Sequence, residues 1–368
     1  MIYLDHNATT PLDERVVETM LPFLQSYYGN ASALYRLGRL SRSAVETARE
    51  QVGALVGVPP SQVVFTSGGT ESNNLAVHAA AGRSRILISR IEHPSVTEPA
   101  ERLQAAGCNV YWLEVDRRGL FDPEAFERCL AKRPEFASLM LANNETGVVQ
   151  RIADFASALR ECGAIVHTDA VQAAGKIPVA FERLNVQMMS LSGHKIYGPK
   201  GSGALIVEKG FDLDPLLLGG GQEKGYRAGT ENVAAIVGFG KAAELALSEL
   251  TARRQKMFDL SVALEQGLTE LGAVIFGREA ERLPNTVQFG FDGVDGEMLL
   301  MQLDRQGFAV SSGSACASGG GMPSPVLVAM GVEAGLAKSA IRVSFGQFNT
   351  EADVVRFLQC IKPLTTGT

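Results

Sequence analysis

The chain has 368 residues, 46% hydrophobic and 20% charged, which excludes a disordered or fibrous protein and supports two domains, or one large domain with a smaller appendage. Its net charge of −6, without basic runs, argues against direct DNA or other nucleic-acid binding. No apolar run approaches the ~18 residues of a membrane span, and the opening Met1-Ile2-Tyr3-Leu4-Asp5-His6 lacks a basic stretch leading into an apolar one, so the expected location is the cytoplasm.

Short β-rich runs alternate with Ala-rich helical stretches from about residue 40 to 250. The predicted strands are Val63–Thr66, Arg85–Ile88, Asn109–Leu113, Ser138–Leu141, Ala164–His167, Met188–Leu191 and Ala204–Val207. Seven such runs with helical crossovers predict a mostly parallel α/β sheet covered on both faces. A long helical stretch over Glu231–Gly272 ends the pattern. Beyond it, Asn285–Phe289, a helix near Gly296–Gln306, Phe308–Ser311 and Ile341–Phe345 read as a smaller α+β domain, and the N-terminal dozen residues are expected to pack with it. The domain expectation is therefore residues 13–255 for the large unit, and 1–12 with 256–368 for the small one.

Ligands of parallel sheets bind beyond the carboxyl ends of the strands, and the distinctive polar groups mostly follow strands. Phe65-Thr66-Ser67-Gly68-Gly69-Thr70-Glu71 is a strand, a glycine turn and a helix start. It suits an anion cradle as well as a plain loop. No P-loop or G-x-G-x-x-G accompanies it, and Gly198–Gly203 is interrupted by Pro199. His93 follows the next run, as a ring-stacking proton shuttle or a simple turn residue. Asn143-Asn144-Glu145-Thr146-Gly147 is a polar cluster or a turn.

Asp169 and Gln172 sit three apart at an expected helix start. They contact adjacent edges of one ring, or Asp169 caps the helix. Ser192-Gly193-His194-Lys195 leaves a further run. A lysine leaving one strand and a carboxylate leaving a nearby one suit a pyridoxal phosphate (PLP) enzyme, with the lysine as the Schiff base and the carboxylate on the pyridinium nitrogen. The glycine-rich stretch Gly219–Thr230 suits a binding loop or a disordered one.

Five cysteines without a C-x-x-C argue against a disulfide framework or Cys-rich zinc site. Four behave as small hydrophobes. Cys316 lies among small residues in Ser312-Gly313-Ser314-Ala315-Cys316 and reads as an exposed, mobile thiol. Arg342, inside an apolar strand, calls for a fixed anion: a ligand carboxylate or a structural partner.

Jointly, these motifs resemble the cysteine desulfurases over nearly the whole length. The further matches are Tyr3-Leu4-Asp5-His6-Asn7-Ala8-Thr9-Thr10-Pro11, Glu92-His93 and Arg227-Ala228-Gly229-Thr230. The resemblance implies a homodimer of PLP-dependent fold type I, in the class V aminotransferase family, of the mobile-loop subgroup. It implies Lys195, His93 and Cys316 as catalytic residues. It implies Gly69, Thr70, His93, Asn144, Asp169, Gln172, Ser192, His194 and Lys195 around PLP, with Thr230 supplied from the other subunit. Asn144 and Arg342 would receive the carboxylate of L-cysteine. Cys316 would take the sulfur as a persulfide, leave L-alanine, and pass sulfur to an acceptor or iron–sulfur scaffold protein for cluster assembly or for tRNA or cofactor thiolation. No resident metal is implied; transient ligation of an iron–sulfur cluster by Cys316 is. A selenocysteine lyase or aminotransferase of the same fold is the alternative reading.

Three departures stand out. Tyr35 and Ala31 occupy places where family members commonly carry histidine and proline. Gly319-Gly320-Gly321 replaces bulkier residues after Cys316. The chain also stops soon after Arg342, where relatives in housekeeping iron–sulfur assembly often have a longer tail, so the sequence does not fix the acceptor.

Overall fold

The computed structural model describes residues 1–312 and 323–365. The strands, in chain order, are β1 (Ile2–Tyr3), β2 (Val63–Thr66), β3 (Arg85–Ser89), β4 (Asn109–Leu113), β5 (Phe136–Ser138), β6 (Ile165–Asp169), β7 (Met188–Ser192) and β8 (Gly203–Val207), then β9 (Val274–Ile275), β10 (Thr286–Gly290), β11 (Phe308–Ala309), β12 (Ser311–Ser312) and β13 (Ile341–Ser344). Seven of them form one sheet in the order β2-β8-β7-β6-β5-β3-β4. All its neighbours are parallel except β8, which runs antiparallel to β2 and β7. Continuous runs such as Val-Val-Phe-Thr in β2 and Met-Met-Ser-Leu-Ser in β7 are buried at every position, as a sheet covered on both faces requires.

Three predicted elements differ in detail. The fifth strand starts at Phe136, not Ser138. Beyond Ser138 the chain still bonds β6, Leu139 N–H to His167 O and Leu141 N–H to Asp169 O, before it diverges. The long helical stretch is two helices, Val233–Ser248 and Leu250–Glu270, meeting at Glu249, whose carboxylate bonds Arg15 and Arg253 at the break. After β6 there is no helix but a run of turns over 171–176, which reaches Gly175 at φ 74°.

A second sheet, β12-β13-β10-β9, packs its own core of Leu4, Val287, Phe289, Val343 and Phe357. The N-terminal segment joins that core: β1 pairs in parallel with β11, and Leu4 is buried. Among the other cysteines, Cys108, Cys129 and Cys360 are half-buried, whereas Cys162 is exposed rather than packed as a small hydrophobe.

Candidate active site

The carboxyl ends of β2, β3, β5, β6 and β7 lie along one edge of the large sheet. Their trailing residues enclose a cavity of about 500 Å³ lined by Gly69, Thr70, His93, Asn144, Asp169, Gln172, Ser192, His194 and Lys195, nine residues expected from the sequence. An adjoining cavity of about 1100 Å³ shares His93, Asn144, Gln172 and Lys195 and adds Glu92, Glu145 and Arg342. Pro323, the first described residue after the gap, also lines it.

At the first end, β2 runs through Ser67 and Gly68 into the helix Gly69–His78. No side chain caps that helix start, so its leading N–H groups and positive end face the cavity. The turn is close-packed. A Cβ on Gly203 would stand 2.6 Å from the Cα of Gly68, which is why the neighbouring strand opens on glycine. Glu71 fastens the turn by accepting from Ser67 N–H (2.8 Å) and pairing with Arg227 (2.8 Å). Ser192 Oγ is buried without a hydrogen-bond partner. His194 Nδ1 lies 3.1 Å from Thr9 Oγ1; burial, with Lys195, Lys200 and Lys176 nearby, lowers its pKa to about 4. Lys200, from the proline-interrupted glycine run, also lines this end. Sequence reading missed it because that run fits no nucleotide loop.

At the floor, Asp169 accepts from Val171 N–H (2.9 Å) and Asn73 Nδ2 (2.7 Å). Asn73 Nδ2 also donates to Ser95 Oγ (2.8 Å), which lies 2.8 Å from His93 Nδ1. The Ser95 N–H donates to the same ring nitrogen (3.1 Å). Nδ1 is therefore an acceptor, and the ring proton belongs on Nε2. Burial pushes the His93 pKa down; Asp169 opposes the shift and Lys195 adds to it. Glu92 accepts at Oε1 from Ser89 Oγ and Met140 N–H, each at 2.6 Å, while its buried Oε2 has no partner. Burial, reinforced by Asp169, raises its carboxyl to about 8 against the pull of Ser89.

At the other end stands Asn7. Its carbonyl accepts from Lys195 Nζ and from Gln172 Nε2 (3.0 Å), and Lys195 Nζ also donates to Ala8 O (2.7 Å). Asn7 Nδ2 donates to Asn144 O (3.1 Å) and Thr286 Oγ1 (2.9 Å). Asn7 Oδ1 accepts from Asn285 Nδ2 (3.0 Å) and Lys176 Nζ (2.9 Å). The sequence flagged the Asn7 motif but gave the residue no role, and it did not flag Lys176. The only signal for Lys176 is a lysine four residues after Gln172 behind an Ala-Ala-Gly stretch.

Arg342 is 2% exposed and pairs with Asp5 (2.6 Å), while Nη1 donates to Asn144 O (3.0 Å). A fixed anion is thus present within the chain, and Arg342 Nε remains buried without a partner. Thr230 is exposed and outside the lining of this cavity. The expected loop around it is anchored: Glu223 makes a buried two-pronged pair with Arg49 (2.6 and 2.7 Å). Glu223 and Lys224 both adopt left-handed backbone there, at φ 46° and 60°. Cys316 lies outside the described residues.

The fold and this edge of strand ends define a class. The family model "Aminotransferase class-V" matches residues 2–357, and the chain belongs to that family. Within it the chain belongs to the cysteine desulfurases, with the PLP type I fold that the sequence implied. It is 46% identical to the "Cysteine desulfurase" of Gluconacetobacter diazotrophicus over 97% of this chain and 91% of that one. A solved "NifS-like protein" aligns with TM-score 0.92 at 38% identity, covering 99% of this chain and 98% of that one. A structure titled "SspA in complex with cysteine" aligns with TM-score 0.84 at 32% identity, covering 95% of this chain and all of that one. The protein is an enzyme of a family that depends on PLP. No helix among the described residues is long and apolar enough to cross a membrane.

Proposed function

We propose that the protein binds PLP in the 500 Å³ cavity and acts on L-cysteine, with Cys316 taking the sulfur as a persulfide for an acceptor protein. The observation that carries this reading is the convergence of Lys195, Asp169 and His93 on one cavity at the strand ends. The donor set fits the cofactor. The unpartnered Ser192 Oγ, the open helix start at Gly69 and Lys200 suit a phosphate; Asp169 suits a ring N–H; Lys195 suits an aldehyde. When bound, the cofactor supplies an electron sink next to the substrate carbon.

This chain's residues do the rest. Asp169 is held in place by Asn73 and Val171, so its charge stays aimed at the ring. Ser95 occupies His93 Nδ1, which leaves Nε2 as the nitrogen that exchanges protons. Lys195 Nζ rests on two carbonyls and is the mobile base above the substrate carbon. Asn144, which lines both cavities, and the unpartnered Arg342 Nε are the donors for a substrate carboxylate. The Cys316 thiolate attacks the substrate sulfur. The S–S bond forms as the C–S bond breaks, the electron pair stays on the carbon side, and that carbon takes a proton to give alanine.

Pro323 lines the larger cavity, and Cys316 stands seven residues before it in the sequence, which supports Cys316 as the thiol that serves this site. Exposed Thr230 supports a homodimer in which it serves the other subunit's cavity. Residues 13–255 form the cofactor domain in this reading, and 1–12 with 256–368 form the smaller one. Iron–sulfur cluster assembly or tRNA or cofactor thiolation is the destination of the sulfur, with transient cluster ligation by Cys316.

The test is alanine release from L-cysteine by purified protein, followed by mass mapping of the persulfide. Cys316→Ser is expected to keep the cofactor's visible absorbance and lose alanine release. Full desulfurase activity in that variant would remove Cys316 from the reaction.

A further inference from the structure

Lys176 is 5% exposed and, among the described residues, has no carboxylate as a hydrogen-bond partner. A buried amine usually pairs with a carboxylate, because desolvating an unpaired charge is costly. Among the described residues Nζ bonds two amide oxygens, Gln172 Oε1 (2.7 Å) and Asn7 Oδ1 (2.9 Å). Burial drives its pKa well below the ordinary lysine value, and the cations Lys195 and Arg342 add to the shift. Such a costly amine calls for a reason, and its partners supply one. By filling Gln172 Oε1 it fixes which way the amide faces, so Nε2 is the end Gln172 presents. That Nε2 donates to Asn7 O, the carbonyl that also holds Lys195 Nζ.

We propose that Lys176 is a positioning residue: it locks the Gln172 amide so that its Nε2 donor faces the cavity beside Lys195. The proposal rests on the reading that PLP occupies this cavity with its ring oxygen against Gln172.

The test is a double-mutant cycle on cofactor affinity, read by spectral titration of cofactor-free protein. Lys176→Met keeps the apolar stem and removes the nitrogen. It is expected to weaken cofactor binding about tenfold, the scale of one hydrogen bond to a charged group. In a Gln172→Ala background the same change is expected to cost less than about twofold. Lys176→Gln, which keeps a donor, is expected to recover most of the affinity. Equal losses in both backgrounds, or no loss in either, overturn the proposal.

Should Lys176→Met fail to fold, Lys176→Leu takes its place in the same cycle. An affinity loss of about tenfold in the parent that shrinks to less than about twofold in the Gln172→Ala background supports the proposal, and equal losses in both backgrounds, or no loss, overturn it. If the parent protein takes up no cofactor, the cofactor reading falls and this one with it. A parent that binds while the cycle shows no coupling overturns the Lys176 assignment alone.

Discussion

At the glycine turn, main-chain N–H groups of the helix Gly69–His78 face the cavity, and the shape is set by contacts between Gly68 and Gly203. At the opposite end nearly everything passes through one residue. Asn7 joins Lys195, Gln172, Lys176, Asn144, Asn285 and Thr286 by side-chain and backbone bonds. The first end sets backbone donors beside the side chains of Ser192 and Lys200, so no single side chain carries it. The second concentrates its order in the single residue Asn7, through its side-chain amide and its main-chain carbonyl, with the buried Lys176 and Arg342 close by.

Lys195, where the ends meet, gives the largest expected effect. Lys195→Ala should abolish the visible band of the bound cofactor and lower alanine release by several orders of magnitude, because one group both anchors and moves protons. A retained band would break the picture of a shared centre.

Asn7→Ala tests the asymmetry itself. Its side chain makes four hydrogen bonds in buried surroundings, so the loss should be roughly 2–4 kcal/mol in denaturant unfolding, against less than about 1 kcal/mol for Thr70→Ala at the glycine turn. Similar losses would show the two ends to be equally distributed.

Gly203→Ala sharpens the other side. Its new Cβ, 2.6 Å from Gly68, must push the turn, at roughly 1–3 kcal/mol of strain and with weaker cofactor uptake. Unchanged uptake by spectral titration would mean that the turn's shape does not matter for binding.

A gradual effect of a different kind is a slope with pH. The Glu92 carboxyl is held at about 8 when folded against an ordinary 4.5. Between those values the folded chain keeps a proton that the unfolded chain releases. Stability therefore falls as pH rises through that window, by at most about 1.4 kcal/mol per pH unit. Glu92→Gln should flatten the fall between pH 5 and 8 and leave the variant the more stable one above pH 8. Parallel stability curves for parent and variant would contradict a protonated Glu92.

The seven strands and the residues that trail them are legible because each follows an uninterrupted apolar run, which is how Lys195, Asp169 and His93 stand out. The glycine turn is legible for the same local reason. Asn7 is not, since its partners are Thr286, Asn285 and the turn after β6, brought together only by the fold. Lys176 and Lys200 look like ordinary lysines until burial or the cavity wall gives them meaning. The expected helix at Asp169–Gln172 fails because the left-handed Gly175 lies one turn further on.

The pairing of β1 with β11 has a consequence for biogenesis. Residues 2–3 find their partners at 308–309, and Asn7, four residues after that strand, is what Lys195 leans on. During synthesis the large sheet can fold around its own core while the N-terminal segment waits for a strand made some three hundred residues later. The cavity is therefore completed only when translation of these residues is nearly finished, and a bulky fusion that blocks β1 would strike the active site even though it is attached to the far side of a different sheet.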